Sequence, residues 1–382
     1  MRVLITGSRA PVALELARAF GESGHTVYTA DPLPCTVGSS SRFVAGHIAT
    51  PAPRGQARAF VAALLAAVER YAIDLIIPTS EEVFALAASH VALAERARVL
   101  TMPLEMLRPL HHKYEFQQRC AALGIPTPRT RLLRSAADVA EALPDFPEYV
   151  LKPAFSRFAT SIITNCGPSA NDRPPASCQP TPEQPWLIQS FAHGASVCTY
   201  SVLHAGRVTA HCAYAVPYRL GLGSGVQFAS VDGGPTLVLV ERLGAALGYT
   251  GQISLDWICG EAGPQVLECN PRATSGLHLI DHAALVRAIA DPAAPAHVVP
   301  PGRVRQLALA MLTTGAVPLR RWPELVRQLA LVPDVVFRRD DWLPVLGQIA
   351  SVAAFAGVAL RRGVGLVAAT TADIEWNGEE LL

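Results

Sequence analysis

Acidic and amide oxygens recur at short, regular spacing in the stretch ISLDWICGEAGPQVLECNPR, residues 253–272. Residues 253–258 alternate as a strand, 260–263 supply turn residues and 265–270 read as a returning strand, so a β-hairpin is expected. Side chains alternate faces along a strand, which puts Ser254, Asp256 and Ile258 on one side and Val266, Glu268 and Asn270 on one side of the partner. Glu268 and Asn270 are then roughly 6.6 Å apart along the chain. Two carboxylates held close repel, and burying either as an ion without a partner is costly, so the pair implies a shared proton or a bound cation. Oxygen-only ligands favour Mg2+, with Mn2+ as a substitute, held by one or two carboxylates while substrate phosphates complete the octahedron. Arg272, beyond Pro271, adds a cation where phosphate charge must be offset. A surface hairpin with solvated acids is the alternative reading.

Lys152 ends a strand-like YVLKP segment. Lysine is seldom buried without a counter-charge, so one set among Val, Leu and Pro suggests a side chain aimed at an anion. Lys113 opens an amphipathic stretch stopped by Gly124 and Pro126, and alone it reads as a surface lysine. His111 and His112 before it are adjacent, not four apart, and are not read as a metal pair. Gly221, Gly223 and Gly225 forbid a stable helix and permit a loop that closes over a ligand. Arg219 just ahead is a candidate for a substrate carboxylate or the transferred phosphoryl group, or else a solvated linker residue.

Taken in chain order, these segments resemble the ATP-grasp ligases, whose metal-binding end looks like Asp256, Glu268, Asn270 and Arg272 in ECNPR. Within that superfamily, PWLIQSFAHGASVCTYSV and TGQISLDWI are most similar to mycosporine-glycine synthase-like members. The resemblance implies that Lys113 and Lys152 reach ATP phosphates and that the backbone of Gln189, Ser190 and Phe191 forms a hinge holding adenine. Residues 154–161, Arg157 among them, replace the usual glycine-rich phosphate cover, and Ser196 falls where a ribose-binding glutamate is common. The implied activity is an ATP- and Mg2+-dependent ligase: a small-molecule oxygen takes the γ-phosphoryl group, an amine or amino acid attacks, and ADP and phosphate leave. In the mycosporine-type members the acceptor is a cyclic enolisable ketone, so an enaminone stands beside an amide as product. Loss of turnover in a nucleotide-binding protein is the competing reading.

Positioning such residues calls for a mixed α/β and α+β chain. Residues 1–105 alternate strand and helix and predict a parallel α/β domain preceding the ATP-grasp halves. The halves are expected over 106–190 and 191–285, with a mostly helical extension over 286–382. Gly7 after a strand and Asp31 ending the next suggest a nicotinamide site, but the loop Gly7-Ser8-Arg9-Ala10-Pro11 lacks the required glycines. Residues 78–82 follow a strand end where substrate contacts occur, although Ser80 as a helix cap explains them too. Ser275 and His278 are polar candidates for the acceptor, a lone histidine being more often structural. The Pro/Ser-rich stretch 167–185 reads as a surface loop, and Arg338-Arg339-Asp340-Asp341 as a self-compensating charged turn.

With 32 basic and 31 acidic residues in 382, no long-range field gathers nucleic acid or an anionic membrane. Eight scattered cysteines without CxxC spacing, and a strand starting directly after Met1-Arg2, fit a reduced cytoplasm. The apolar run 343–360 is interrupted by Pro344, Gly347, Gln348 and Ser351 and is expected as a packed helix, not a membrane span. A homodimer is compatible with all of this.

Overall fold

Val3, Leu4 and Ile5 have no exposed surface, as expected of a parallel strand covered by helices on both faces. They lie in β1 (Arg2–Thr6), the centre of a five-stranded parallel sheet with β2 (Thr26–Asp31), β3 (Val44–Ala49), β4 (Leu75–Ile77) and β5 (Arg98–Val99), in the order β3-β2-β1-β4-β5. The strand order reverses between β1 and β4, and the loops after these two strands face each other there. Gly7, at φ +67°, lets them meet: a Cβ at this position would stand 2.7 Å from both Glu82 Oε1 and Thr79 Oγ1. Glu82 Oε1 accepts hydrogen bonds from Thr6 Oγ1 and from the amides of Thr79 and Ser80, so this carboxylate, not the Ser80 hydroxyl, organises the turn. Gly7→Ala is expected to cost about 1–3 kcal/mol of stability in urea unfolding.

The computed structural model describes residues 1–156, 162–167, 170–171, 175–220, 224–313 and 322–381. The cover contact expected of Arg157 and the loop glycines Gly221 and Gly223 lie outside the described residues.

A second, antiparallel sheet is built from β6 (Thr130–Leu133), β7 (Tyr149–Pro153), β8 (Ile163–Thr164) and β9 (Trp186–Ser190), ordered β6-β9-β7-β8. The described part of the Pro/Ser-rich stretch is more than a surface loop, since Cys178 is buried in this sheet's core with Leu151 and Ile188. The third sheet contains β10 (Ala195–His204), β11 (Arg207–Leu220), β12 (Ser224–Val231), β13 (Gly251–Gly260), β14 (Gly263–Asn270), β15 (His297–Val298) and β16 (Val304–Gln306). Its order is β14-β13-β10-β11-β12-β16, with β15 parallel to β11. One face carries Tyr200, Cys212 and Phe228 into a core with Leu277, Leu279 and Leu285, whose segments in turn pack on the helix Pro11–Glu22 beside the first sheet. The other buries Trp257 and Val266 against Leu110, Phe116 and Cys120 of the helices Leu104–His111 and Lys113–Ala122. The lysine helix and the hairpin thus share one core.

Beyond residue 285, β15 and β16 complete the third sheet before the helices Ala308–Thr313, Trp322–Leu331, Pro344–Arg362 and Leu366–Ala369. The charged turn compensates itself only in part: Arg338 pairs with Asp340 within it and with Glu22 outside, whereas Asp341 is buried and pairs with the buried Arg18 at 2.8 Å. Pro344–Arg362 is long and apolar enough to cross a membrane by length and composition. It packs along one stripe only, through Pro344, Gly347, Ser351 and Phe355, leaving Leu346, Ile349 and Leu360 exposed.

Candidate active site

The predicted hairpin forms as β13 and β14, with Asp256 opposite Glu268 and Ser254 opposite Asn270. Cross-strand partners share a face, so these four side chains stand on the same side of the sheet. Val266 does not join them. A bulge follows the Asp256–Glu268 pair, Trp257 pairs with Val266, and Val266 turns into the core. Gln117 of the lysine helix reads this irregularity, its Nε2 donating to the carbonyls of both Val266 and Leu267 at 2.9 Å.

That contact brings the first lysine to the acids. Lys113 begins its helix, its amide donates to the Ala154 carbonyl just past β7, and its Nζ lies 3.6 Å from Glu268 Oε2 and 2.9 Å from the Ser156 carbonyl. Far from a surface lysine, it is only 5% exposed. Lys152, at the end of β7, is equally buried and within electrostatic reach of Glu268, Lys113 and Asp256. Arg272 donates to Asn270 Oδ1 at 3.4 Å and stands 3.9 Å from Glu81 of the first sheet.

Burial pulls the Lys152 ammonium down to about 8, with Lys113 adding repulsion and Glu268 opposing both. Asp256 is pushed above the usual carboxylate range by burial and by Glu268. Burial acts on Glu268 in the same direction, but Lys113 and Lys152 hold it below that range. Asp256 faces Glu268 across the two strands, and the opposite directions of their shifts favour a proton on Asp256 over Glu268. A dication at this place replaces that proton, so the oxygen set Asp256, Glu268 and Asn270 fits Mg2+. The folded chain binds more protons at Asp256 than the unfolded chain does, so its contribution to stability falls as pH rises above the ordinary aspartate value. Glu268 acts oppositely and only lower, its stabilisation being lost as pH falls below the ordinary glutamate value. We expect the thermal midpoint of the metal-free protein to carry a downward slope toward neutral pH that Asp256→Asn removes; the same slope in the variant would place its origin elsewhere.

The hinge residues behave differently from expectation. Gln189 is buried between β6 and β7, with its side-chain amide on Thr130 Oγ1, and the amides of Ser190 and Phe191 are taken by the carbonyls of Arg129 and Glu148. Among the described residues the next amide, Ala192, has no hydrogen-bond partner. It lines a cleft of about 200 Å³ with Phe191, His193, Ile258 and Gln265. Ile258 lies two residues along β13 from Asp256, so the cleft adjoins the acids on the same face. Ser196 is exposed, and its Oγ accepts from Arg219 at 3.4 Å. Arg219 also acts electrostatically on Asp256 and so belongs to the same constellation. His278 does not: it is buried against Glu15 at 2.8 Å in a cluster with His282. Asp31 is no ribose ligand either, because Arg9 occupies it at 2.7 Å and also bridges to Asp373.

No protein-family model matches the sequence, and no curated protein does. Solved structures do match. They include N5-carboxyaminoimidazole ribonucleotide synthetase from Thermus thermophilus, at 15% identity over 80% of this chain and 81% of that one, with a TM-score of 0.60. Biotin carboxylase from Campylobacter jejuni matches at 14% identity over 77% of this chain and 72% of that one, TM-score 0.59. Phosphoribosylamine–glycine ligase from Thermotoga maritima matches at 17% identity over 80% and 78%, TM-score 0.57. The chain has the ATP-grasp fold.

On this ATP-grasp frame, Cys198 could not be singled out in the sequence, whereas Glu81 lies in the stretch 78–82 expected to offer substrate contacts. Cys198 on β10 pairs with Asp256 and lies within electrostatic reach of it, a placement visible only once β10 and β13 are in register. Glu81 faces Arg272 on one side and accepts the Trp376 amide on the other. Trp376 packs on Phe84, His111 and Phe155, so the chain's last segment lies across the junction of the first sheet with the lysine helix. No motif announces this return.

Proposed function

We propose that the protein is an ATP- and Mg2+-dependent ligase that phosphorylates a small-molecule acceptor and joins it to an amine, releasing ADP and phosphate. One observation carries the reading: two buried ammonium groups and two half-buried carboxylates converge at one hairpin face of an ATP-grasp fold. Similar structures include an ADP complex of N5-carboxyaminoimidazole ribonucleotide synthetase and a biotin carboxylase domain from Hydrogenobacter thermophilus holding MgADP and bicarbonate.

In this reading adenine enters the cleft beside Ala192 and Ile258, and the triphosphate runs along β13 toward Lys113 and Lys152. Asp256, Glu268 and Asn270 would hold Mg2+, which when bound would neutralise and orient phosphate oxygens. Lys152 and Arg272 stabilise charge on the transferring phosphoryl group, and Arg219 orients the acceptor. An acceptor oxygen bonds to the γ-phosphorus as the bond to the bridging oxygen breaks and ADP leaves; the amine nitrogen then attacks the activated carbon and phosphate departs. A carboxylate acceptor yields an amide. A cyclic enolisable ketone yields an enaminone, the outcome favoured by the resemblance of residues 185–202 and of the hairpin to mycosporine-glycine synthase-like chains.

The exposed Ser196, bonded to Arg219 where the family commonly has a ribose-binding acid, favours the second reading, a nucleotide-binding protein without turnover. A matrix of carboxylates and cyclic ketones against amino acids, read by ADP release and product mass, separates the two. Mg·ATP raising the thermal midpoint with no pair lifting ADP above background supports binding alone; no response to Mg·ATP removes both.

A further inference from the structure

We propose that Glu148, Cys166 and His193 form a separate site for a zinc-like divalent ion, beside the cleft and apart from the oxygen-lined site of Asp256 and Glu268. One ligand atom from each lies within 4.8 Å of the others. His193 Nε2 stands 2.6 Å from Glu148 Oε2, and the Cys166 thiol donates to Glu148 Oε1 at 3.5 Å. Thiolate, imidazole and carboxylate together are the donor set of Zn2+, not of Mg2+, and three protein ligands leave one tetrahedral position for water.

Three segments are fastened to one another by contacts that do not involve the ligand atoms. Asn165 straddles Glu148, its Oδ1 accepting from the Tyr149 amide at 2.9 Å and its Nδ2 donating to the Pro147 carbonyl at 2.8 Å, which brings the neighbouring Cys166 to that carboxylate. The Glu148 carbonyl accepts the Phe191 amide at 3.0 Å and so draws the hinge in. Gly167, at φ +77°, lies so close to the Phe191 ring that a Cβ would stand 2.3 Å from its Cζ. The ligand positions are therefore set before any ion arrives, while Glu148 and His193, each more than half exposed, leave the ion a route from solvent. A plain surface ion pair accounts for His193 and Glu148 but not for the thiol held against them.

Binding replaces the Cys166 S–H bond with a sulfur–metal bond and releases the proton to solvent. Because Phe191 and His193 also line the cleft, an ion here would tie the hinge to β7 and to the turn after β8.

The test uses the full-length protein, stripped of metal and reduced, titrated with Co2+ and followed by absorption. A thiolate-to-cobalt charge-transfer band that Zn2+ displaces is expected, lost in Cys166→Ser and weakened in His193→Ala. Both positions are away from the buried core, so circular dichroism should show folded variants. Cobalt at Asp256 and Glu268 could reach Cys198, so Cys198→Ser must keep the band. No band in the wild type, or a band lost in Cys198→Ser but kept in Cys166→Ser, overturns the proposal whether or not the protein binds ATP.

Discussion

Lys152→Met should leave the protein at least as thermostable as the wild type while slowing ADP release from Mg·ATP by about 10²–10³-fold, the usual cost of losing one preorganised charge-stabilising group. The two effects part because the lysine is buried at a cost. Desolvation and the neighbouring Lys113 both disfavour its charged form, and only Glu268 and Asp256 oppose them. Methionine has nearly the same shape without the ammonium group, and Glu268 keeps Lys113 as its counter-ion at 3.6 Å. Replacing a buried ion by a well-packed apolar residue is often neutral or stabilising when no partner is stranded. Melting curves and ADP release on the same preparation decide it. A clear fall in thermal midpoint with turnover intact would make Lys152 a structural residue and remove the anion site.

Asp341→Ala is expected to have the largest effect on stability, about 3–5 kcal/mol, because it strands a charge in the interior. Arg18 is 1% exposed. Its Nε meets Asp341 Oδ2 at 2.8 Å, and its other nitrogens are taken by the carbonyls of Val335, Val336 and Asp341. The same carboxylate accepts from Ser41 Oγ and the Arg42 amide, so three donors lose their acceptor together. The urea midpoint should fall in Asp341→Ala and recover in part in Arg18→Met/Asp341→Leu, which removes the stranded charge but leaves the Ser41 hydroxyl, the Arg42 amide and the carbonyls of Val335 and Val336 without these partners. Equal losses in the single and double variants would mean that the contact energy comes from the backbone carbonyls instead. This pair ties the helix Pro11–Glu22 to a segment over 300 residues later, and its loss should loosen the C-terminal region first.

Local pattern made the hairpin and the first sheet legible. Alternation over 253–270 is a period-two signal that needs no tertiary information, and the apolar run at β1 announces a strand buried on both faces. Lys152 was legible for a related reason, since a cation among Val, Leu and Pro is out of place unless something anionic answers it. Lys113 was not. Its burial comes from Gln117 gripping a bulge more than a hundred residues away and from the Ala154 carbonyl, neither of which leaves a trace in the residues around it. The hinge shows the same limit, because which amides stay open depends on the neighbours of β9, and Arg129 and Glu148 take two of the expected donors.

By itself, then, the order of residues determined which groups could do chemistry and which strands would carry them, because side-chain type and strand period are properties of a few neighbouring residues. Only the tertiary structure decided that a proton is favoured on Asp256 over Glu268, that Cys198 borders the site and Glu81 meets Arg272, and that Asp31 is consumed by Arg9. Charge state and pairing depend on burial and on distances of a few ångströms between segments far apart in the chain, and those are settled when the sheets pack.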